Sequence, residues 1–429
     1  MTFQSFSETA ELPLPDLQLA ESLFAELAKR TGNEEGITRV SYGLGEQIAH
    51  DLLRREARAI GLSVHQDAAC NLYITLEGQS GAPGIYLGSH VDSVPRGGNF
   101  DGAAGVLAGL SVVAGFRKAG RLPPRNVTVM AIRAEESTWF NASYIGSRAA
   151  LGKLLPEELE NVTRSNDGIT LGAAISAAGG DVASLAQQRS CVDLAQIGMF
   201  VEPHIEQGPL LLARDIPLGI VTGIRGSFRY RRAACIGVYA HSGATPRSER
   251  QDALCAVATF IVEMNQMWSR RESAGNDLTV TFGQIATDPE EAAFSKVPGH
   301  VTFALDVRSE SLETLAAVRE EMKAMVARIS QQQRVRFELG PETSSQPAVM
   351  DPSVIAALGS AARTEAIPVI TMPSGAGHDA AVFAQAGVPT TMLFLRNTNG
   401  SHNPQEQMDM EDFAQAARLL SRLCLDFGA

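Results

Sequence analysis

The sequence predicts an α/β protein in which a mixed, largely parallel sheet carries helices on both faces and is interrupted by an inserted α+β domain. Helix-like and strand-like segments alternate along the first half of the chain, the order that builds a layered α/β sheet. Two strand-like segments, residues 84–90 and 125–136, are nearly continuous in apolar residues, as strands buried on both faces are. The pattern changes after about residue 213, and a chain of 429 residues favours two domains.

The first half supplies the elements of the sheet domain. Apolar residues recur with the helical period in residues 14–30 and 44–61, and "DGAAGVLAGLSVVAGFRKAG" predicts a helix of small residues. Its strands are expected at 71–78, 84–90 and 125–136. This order predicts parallel strands joined by helices that cover the sheet.

The second half predicts a compact insertion and then a return to the first pattern. The insertion combines strands at 228–240, 277–286 and 300–309 with long helices at 250–272 and 311–333. The alternation resumes with a helix at 351–366, a strand at 390–396 and a helix at 410–428. We therefore predict one α/β domain of residues 1–213 and 331–429, and an inserted α+β domain of residues 214–330.

Charge and cysteine content narrow the class of protein. Asp and Glu outnumber Lys and Arg by 48 to 36, so we expect neither nucleic acid nor an anionic membrane as a partner. A small anionic substrate remains compatible with this charge, because it needs only one or two well-placed cations. The five cysteines are odd in number and widely spaced, which predicts no disulfide framework. No secretory signal or bilayer-length apolar stretch is visible, so a cytoplasmic location is expected.

The stretch "GSHVDSVPRGGNFDGAAG" places a histidine and two aspartates where a strand ends and a helix begins. His90 and Asp92 are two residues apart and point to the same side if the extended geometry persists. Asp92 can then accept a hydrogen bond from one imidazole nitrogen and leave the other for a metal. Asp101 is a further ligand candidate, although an aspartate at a helix start is equally typical of an N-cap.

Three further segments place histidines or carboxylates after apolar strands. Glu135 and Glu136 follow one strand, and as neighbours one of them can bind a metal while the other reaches a water. His204 follows another strand, and His402 lies in a polar loop between a strand and a helix. Open α/β sheets place ligand sites at the carboxyl ends of parallel strands. The resulting candidate ligands, all of the N/O type that suits two divalent metals sharing one carboxylate, are His90, Asp101, Glu136, His204 and His402.

Eight segments resemble the metal-dependent amidohydrolases of the M20 peptidase superfamily. Within it, the sequence is similar to the branch of N-carbamoyl-L-amino-acid hydrolases, β-ureidopropionase and allantoate amidohydrolase. The segments "HIEQGPLL" and "SGAGHDA" point to this branch rather than to aminopeptidases and deacetylases. The other matching segments are "GSHVDSVPRGGNFDGAAGV", "AEEST", "GIVTGIRG", "HSGATPRSERQDA", "VPGHVTFALDVRS" and "GSHNPQE".

The resemblance implies a role for each candidate. Asp101 would bridge two divalent ions, Zn²⁺ or Mn²⁺ with Co²⁺ or Ni²⁺ as alternatives. His90 and His204 would complete one site, and Glu136 and His402 the other. Glu135 would be the general base and Asp92 the partner of His90, the catalytic set being completed by His241. The implied substrate-binding residues are Gln207, His241, Ser295, Arg308 and Gly400.

The resemblance also implies a zinc-aminopeptidase-like fold, a homodimer and a lid function for the inserted domain. The expected substrate is a small anionic ureido or amide compound, and the reaction is cleavage of the ureido C–N bond of an N-carbamoyl-L-amino acid to the amino acid, carbon dioxide and ammonia. His241 would hydrogen-bond the oxyanion and Arg308 would grip the substrate carboxylate. A structural ion pair for Arg308 and a turn cap for His241 are the simpler alternatives.

Two departures from the family pattern affect substrate recognition. Ser295 stands where the branch usually has an asparagine, and a hydroxyl does not reproduce both hydrogen bonds of an amide. The segment "NTNGSHNP", which contains Gly400, differs from the usual loop. Allantoate hydrolysis and cleavage of an N-acyl or peptide amide therefore remain alternatives to the ureido reaction.

Two other classes are weaker alternatives. A serine hydrolase would use Ser374 or Ser242, but the sequence has no G-x-S-x-G turn. A non-catalytic metal- or amino-acid-binding protein on the same fold would have no use for Glu135. Sensitivity of the activity to a chelator distinguishes the metal-dependent enzyme from a serine hydrolase.

Overall fold

A computed structural model describes residues 11–428 as two compact units. The first unit contains residues 11–222, 350–374 and 378–428, and the second contains Gly223–Val349 and Gly375–Gly377. All five cysteines are free thiols, as expected. Within residues 11–428, no helix has both the length and the apolar composition that crossing a membrane requires.

The strands and helices below are numbered in chain order. The strands are β1 (Gly32–Asn33), β2 (Gly36–Ile37), β3 (Ser63–Gln66), β4 (Leu72–Leu76), β5 (Ser80–His90), β6 (Arg125–Ile132), β7 (Ile197–Ile205), β8 (Leu218–Ile224), β9 (Gly226–Ile236), β10 (Ala240–His241), β11 (Thr279–Thr287), β12 (Lys296–Val297), β13 (His300–Ser309), β14 (Arg336–Glu338), β15 (Glu342–Ser345), β16 (Ala348–Val349), β17 (Val369–Ser374), β18 (Thr390–Leu395), β19 (Asn397–Thr398) and β20 (Gln407–Met408). The helices are α1 (Leu17–Thr31), α2 (Leu44–Ala59), α3 (Ala103–Lys118), α4 (Ser137–Phe140), α5 (Ile145–Ala150), α6 (Pro156–Asn161), α7 (Leu171–Ala177), α8 (Val182–Leu185), α9 (Leu210–Arg214), α10 (Ala253–Ser273), α11 (Leu312–Gln333), α12 (Pro352–Thr364), α13 (Asp379–Gln385) and α14 (Met410–Asp426).

The first unit is built on the mixed, largely parallel sheet that the sequence predicts. Its strand order is β8-β18-β7-β5-β6-β4-β3, and β17 also pairs with β8. The four central strands, β18, β7, β5 and β6, run parallel, and the outer pairs are antiparallel. The carboxyl ends of β5, β6, β7 and β18 therefore meet at one edge, where a ligand site is expected.

Helices cover both faces of this sheet. Helices α1, α2, α3, α12 and α14 share one apolar core with β4, β5, β6 and β7. On the other face α13 packs against β7, where the rings of Phe200 and Phe383 stack 3.9 Å apart. Every residue of α3 from Ala103 to Phe116 is buried, which explains its small side chains. At Gly105 an added Cβ would lie 1.8 Å from the carbonyl oxygen of Pro203, so only glycine allows α3 to approach β7 this closely.

The second unit is an α+β fold, as predicted for the insertion. Its antiparallel sheet has the order β11-β13-β9-β14, and β15 also pairs with β9. Helices α10 and α11 pack against this sheet around a core that includes Phe260, Phe303 and Met322. A separate two-stranded ribbon joins β10 to β12.

The boundaries of the units differ from residues 213/214 and 330/331. Strand β8 lies beyond residue 213 but pairs through Leu218, Gly219 and Ile220 with β18, so it extends the sheet of the first unit. Strands β14 and β15 lie beyond residue 331 but complete the sheet of the second unit on β9.

Candidate active site

The end of β5 orients His90 and Asp92 as their spacing predicts. The Nδ1 atom of His90 lies 3.2 Å from Asp92 Oδ1 and 3.1 Å from the Asp92 carbonyl oxygen. The opposite nitrogen, Nε2, lies 3.7 Å from Asp101 Oδ1 and 3.3 Å from His204 Nε2. His90 and Asp92 are both buried. Asp92 thus fixes the ring of His90 so that Nε2 faces the other candidate ligands.

Asp101 is not the N-cap of α3. The capping position is held by Gly102, and no side chain caps this helix. Gly102 has φ +63°, and an added Cβ would lie 2.5 Å from His90 Nε2. Only glycine therefore satisfies both the backbone conformation and the space beside the imidazole.

The Asp101 carboxylate lies between three imidazoles. Its Oδ1 is 3.0 Å from His204 Nε2, and its Oδ2 is 3.2 Å from His402 Nε2. Although buried, Oδ1 takes part in no hydrogen bond of acceptable geometry. A buried carboxylate oxygen that faces ring nitrogens without bonding to them is suited to a cation.

The five candidate ligands form two groups that share Asp101. In each group the ligand atoms lie within 4.8 Å of one another. One group contains His90, Asp101 and His204, and the other contains Asp101, Glu136 and His402. Each group could hold a divalent ion through nitrogen and carboxylate oxygen.

Glu135 and Glu136 both follow a turn after β6 and do not lie on the strand itself. Strand β6 ends at Ile132, and Ala134 has φ +52°. Glu136 Oε1 lies 3.5 Å from His402 Nε2, whereas Glu135 belongs to neither ligand group. Both backbone N–H groups donate to the two oxygens of Asp92, at 3.2 Å each. Asp92 therefore positions both glutamates as well as His90.

Burial and mutual repulsion raise the pKa of the carboxyl groups around the cluster. Burial raises the pKa of Glu135 well above that of an ordinary glutamate, and Glu136 and Asp379 add to this rise. The pKa of Glu136 rises to about 8 through burial and the charge of Asp101, and that of Asp379 rises to about 7 through burial. The excess of negative charge over positive charge is what a cation site requires.

The central carboxylate shows the opposite shift. Burial opposes ionisation of Asp101, but the close imidazoles of His204, His402 and His90 hold its pKa well below the usual range. The pKa of His402 rises to about 9 because it bonds to Asp101. Divalent cations bound among these imidazoles would balance the same carboxylate.

Gln207 and Gly400 lie beside the cluster. Gln207, with φ +62°, donates from Nε2 to Asp101 Oδ2 at 2.9 Å. Gly400, with φ +69°, accepts a hydrogen bond from Asn397 and precedes His402 by two residues. The structure thus brings both of these substrate-binding candidates to the candidate ligands.

His241 and Ser295 lie together in the second unit. Strand β10 pairs with β12, and the Ser242 N–H donates to the Ser295 carbonyl oxygen at 3.0 Å. His241 Nδ1 accepts from Gly243 N and Ala244 N at 3.2 and 3.1 Å. His241 therefore caps this turn, which was the simpler alternative for it. With Nδ1 as acceptor, the ring proton is on Nε2, and the exposed side chain can donate from there.

Arg308 makes the ion pair that was its simpler alternative. Its Nη2 lies 2.8 Å from Asp306 Oδ2, and its Nη1 donates to the Gly375 carbonyl oxygen at 2.8 Å. The guanidinium is a third exposed. A substrate carboxylate would have to compete with Asp306 for this group.

Several polar residues around the cluster were not predicted. Ser401 Oγ bonds to Asp101 Oδ2 and to Glu406 Oε2, and Glu406 Oε1 accepts from Asp101 N at 3.1 Å. Glu202 forms a third group of candidate ligand atoms with His204 and His378. Glu202 precedes His204 by two residues on β7. Residues two apart on a strand point to the same face, so the sequence could have indicated that Glu202 lies beside His204.

The serine-hydrolase alternative meets a structural obstacle. Ser374 Oγ lies 3.1 Å from His378 Nε2, but both side chains are buried. Burial lowers the pKa of His378 well below that of an exposed histidine, with the charge of His204 acting in the same direction. A nucleophilic serine must be accessible to its substrate, and Ser374 is not.

Comparison with known proteins defines the class. Residues 86–426 match the Peptidase family M20/M25/M40, so the chain belongs to this family, as its motifs predict. The fold is that of solved amidases of the hydantoinase/carbamoylase family. One of these, from Burkholderia multivorans, superposes with a TM-score of 0.86 at 28% identity and covers 96% of this chain and 98% of its own.

Curated relatives place the chain in the amidohydrolase branch of the family. It is 35% identical over 388 residues to the N-carbamoyl-L-amino acid amidohydrolase of Geobacillus stearothermophilus, covering 90% of this chain and 92% of the relative. It is 30% identical to the allantoate amidohydrolase of Escherichia coli (strain K12) over the same fractions of the two chains. The chain is therefore an amidohydrolase, a hydrolase of C–N bonds, in a metal-dependent family.

Proposed function

We propose that this protein hydrolyses the ureido C–N bond of an N-carbamoyl-L-amino acid to the amino acid, carbon dioxide and ammonia. The observation that carries the proposal is the Asp101 carboxylate between three imidazoles, with Glu135 beside the cluster but outside both ligand groups. The relatives named as N-carbamoyl-L-amino-acid amidohydrolases support the ureido substrate class.

Two divalent ions fit the donor set. His90 and His204 would hold one ion, Glu136 and His402 the other, and Asp101 would bridge them. The unbonded Asp101 Oδ1 and the surplus of buried carboxylates support this assignment. Zn²⁺ or Mn²⁺ suits these nitrogen and oxygen ligands, with Co²⁺ or Ni²⁺ as alternatives. When bound, the ions supply Lewis-acid activation of the substrate carbonyl and of the attacking water.

The remaining residues move protons and hold the substrate. Glu135 takes a proton from the attacking water and delivers it to the leaving nitrogen. Asp92 keeps His90 in the tautomer that presents Nε2 to the ion. His241 donates from Nε2 to the oxyanion, and Arg308 binds the substrate carboxylate in exchange for Asp306.

The same proposal assigns roles beyond the cluster. The inserted domain, residues 214–330 in the sequence-based division, serves as a lid and as the contact of a homodimer. Gln207, Ser295 and Gly400 contribute to substrate recognition. The location that we propose is the cytoplasm.

A second candidate is hydrolysis of an N-acyl or peptide amide on the same scaffold. Ser295 stands in place of the asparagine usual in the branch, and this favours the second candidate. A serine hydroxyl does not make both of the hydrogen bonds to substrate that an asparagine amide can make. Allantoate hydrolysis is a variant of the first candidate and is supported by the relatives with that name.

The test compares matched substrates. Purified enzyme loaded with Mn²⁺ or Zn²⁺ is given the N-carbamoyl and N-acetyl forms of the same L-amino acids, and allantoate, with and without chelator. We expect amino acid and ammonia in equal amounts from an N-carbamoyl substrate, lost with chelator. Amino acid released only from N-acetyl substrates, without ammonia, would establish the second candidate instead.

A further inference from the structure

Four consecutive backbone N–H groups at the end of β6 are bound by side chains from other elements. None of these groups belongs to the β6 ladder, and the acceptors come from three separate segments of the first unit. The pairs are Arg133 N to Asn71 Oδ1 (2.9 Å), Ala134 N to Glu46 Oε1 (2.9 Å), Glu135 N to Asp92 Oδ1 (3.2 Å) and Glu136 N to Asp92 Oδ2 (3.2 Å).

Glu46 is a fully buried carboxylate with donors on both oxygens. Besides Ala134 N on Oε1, Oε2 accepts from Tyr42 N at 2.7 Å and from Arg133 Nη1 at 2.8 Å. All three contacts are donors, which favours the ionised carboxylate over the protonated acid. Arg133 is equally buried and compensates this charge. The ion pair therefore joins α2 to the segment that carries Glu135.

Arg133 is itself held in one orientation. Its Nη2 donates to Gln47 Oε1 at 2.6 Å and its Nε to the Cys70 carbonyl oxygen at 3.2 Å. With Nη1 on Glu46, all three nitrogens of the guanidinium are bonded. Arg133 thus fixes Oε2 of Glu46, while Oε1 accepts from Ala134 N.

The backbone between Arg133 and Glu135 needs such support. Ala134 has φ +52°, a left-handed conformation that a residue with a Cβ adopts only at a cost. The carbonyl groups of residues 133–135 accept from the N–H groups of residues 146, 145 and 144. The turn is therefore bound along both edges, and Glu46 is the acceptor at its strained residue.

We propose that Glu46, held by Arg133, is a positioning residue that fixes the direction in which Glu135 leaves the turn. This inference rests on the proposed function, because it takes Glu135 as the general base. Glu46 belongs to neither candidate ligand group and acts on Glu135 through the Ala134 N–H and through Arg133. A displacement of about 1 Å in a reacting group is enough to cost about 100-fold in rate.

The test is a double-mutant cycle between Glu46→Gln and Glu135→Ala. In the wild-type background we expect Glu46→Gln to lower kcat about 100-fold, with KM and metal content unchanged. In the Glu135→Ala background the same change should lower the residual kcat no further, because no base is left to misplace. The matched control is Glu365→Gln, which removes a little-exposed carboxylate that pairs with Arg418 and Arg422.

Equal losses of kcat in both backgrounds, or a loss no larger than that of Glu365→Gln, would overturn the proposal. Hydrogen exchange gives a readout without substrate: the amides of residues 133–136 should exchange faster in Glu46→Gln than in the wild type, and unchanged exchange also overturns it. If Glu46→Gln does not fold, Glu46→Asp keeps the charge and shortens the reach to Ala134. Full activity of Glu135→Ala would instead refute the assignment of the base under the proposed function, whatever the exchange shows.

Discussion

Asp101 lies at the centre of the candidate metal site. It is buried, it faces His204 and His402 through different oxygens, and Gln207 and Ser401 bond to the second of these oxygens. Among residues 11–428, it is the one carboxylate that both ligand groups share. We therefore expect its charge to be indispensable for binding the metal ions.

Asp101→Asn should lose both metal and activity. An amide keeps the shape of the side chain but removes the charge, and its NH₂ group would face imidazole nitrogens or Gln207. Metal content by mass spectrometry should fall from about two ions per chain to fewer than one, with activity at background. The control is Asp351→Asn at the N-cap of α12, which removes the same charge from a true capping position. Retention of two ions by Asp101→Asn would refute the bridging role.

For single residues, the sequence predicts contacts between residues that are close together in the chain. It misses contacts between residues that are far apart in the chain. The separation of His90 and Asp92 by two residues is enough to predict their contact. Glu46 bonds to a residue 88 positions away, and Glu406 to one 305 positions away, so no local pattern links them to the site. The αL conformation of Ala134 was equally hidden, because alanine carries no turn signal.

At the scale of elements, the packing of α3 positions the site. Its small residues let the helix lie against β5 and β7, and Asp101, two residues before the helix begins, lies beside His204. Gly105 makes the closest approach. A glycine in another helix need not mark such a close approach to a strand.

Gly105→Ala and Gly359→Ala should change stability in opposite directions. The Cβ at position 105 would collide with the backbone oxygen of Pro203, so we expect a loss of about 3 kcal/mol in the free energy of unfolding. At Gly359 in α12 the nearest atom is a flexible arginine nitrogen at 3.5 Å, so alanine should add about 0.5–1 kcal/mol. Chemical denaturation of both variants measures these changes in the free energy of unfolding. A neutral Gly105→Ala would contradict the close packing of α3 and β7.

Helices α12 and α14 are linked by an ion pair with a defined pH dependence. Burial opposes ionisation of Glu365, but hydrogen bonds from Arg418 and Arg422 lower its pKa below the usual value. A lowered pKa in the folded state adds stability above the unfolded pKa, about 4.3, which is lost as the pH falls through the folded value. The stability difference between wild type and Glu365→Gln should therefore shrink as the pH falls below about 4. A difference that is constant from neutral to acid pH would contradict this.

The sequence predicts most elements but not the edges of the two units. Long helices such as α10 and α11 follow from periodicity, and the parallel core follows from apolar strands between helices. Strand β8 pairs with β18, about 170 residues later, and only that pairing assigns it to the first unit. The short helices α5 to α8 have too few residues for a periodic pattern.

At the scale of the whole molecule, the candidate ligands tie together distant parts of the first unit. They come from β5, the start of α3, the turn after β6, β7 and the loop before α14. Two ions bound to these ligands would stabilise only the folded state, because the unfolded chain does not assemble the ligands.

Removal of metal should therefore lower the melting temperature as well as the activity. At an ion concentration 100 times the Kd, each of the two ions adds about 2.7 kcal/mol, and together they correspond to about 6 °C for a chain of this size. We expect chelator to lower the Tm of the wild type by this amount and to leave that of Asp101→Asn unchanged. An equal shift in both proteins would show that the chelator acts elsewhere.

The most direct measurement is an anomalous difference map from crystals grown with Mn²⁺. It should show two peaks that flank Asp101, one among His90, Asp101 and His204 and the other among Asp101, Glu136 and His402. A peak only among Glu202, His204 and His378, or no peak in crystals of active protein, would contradict the two-ion site on which the proposed hydrolysis depends.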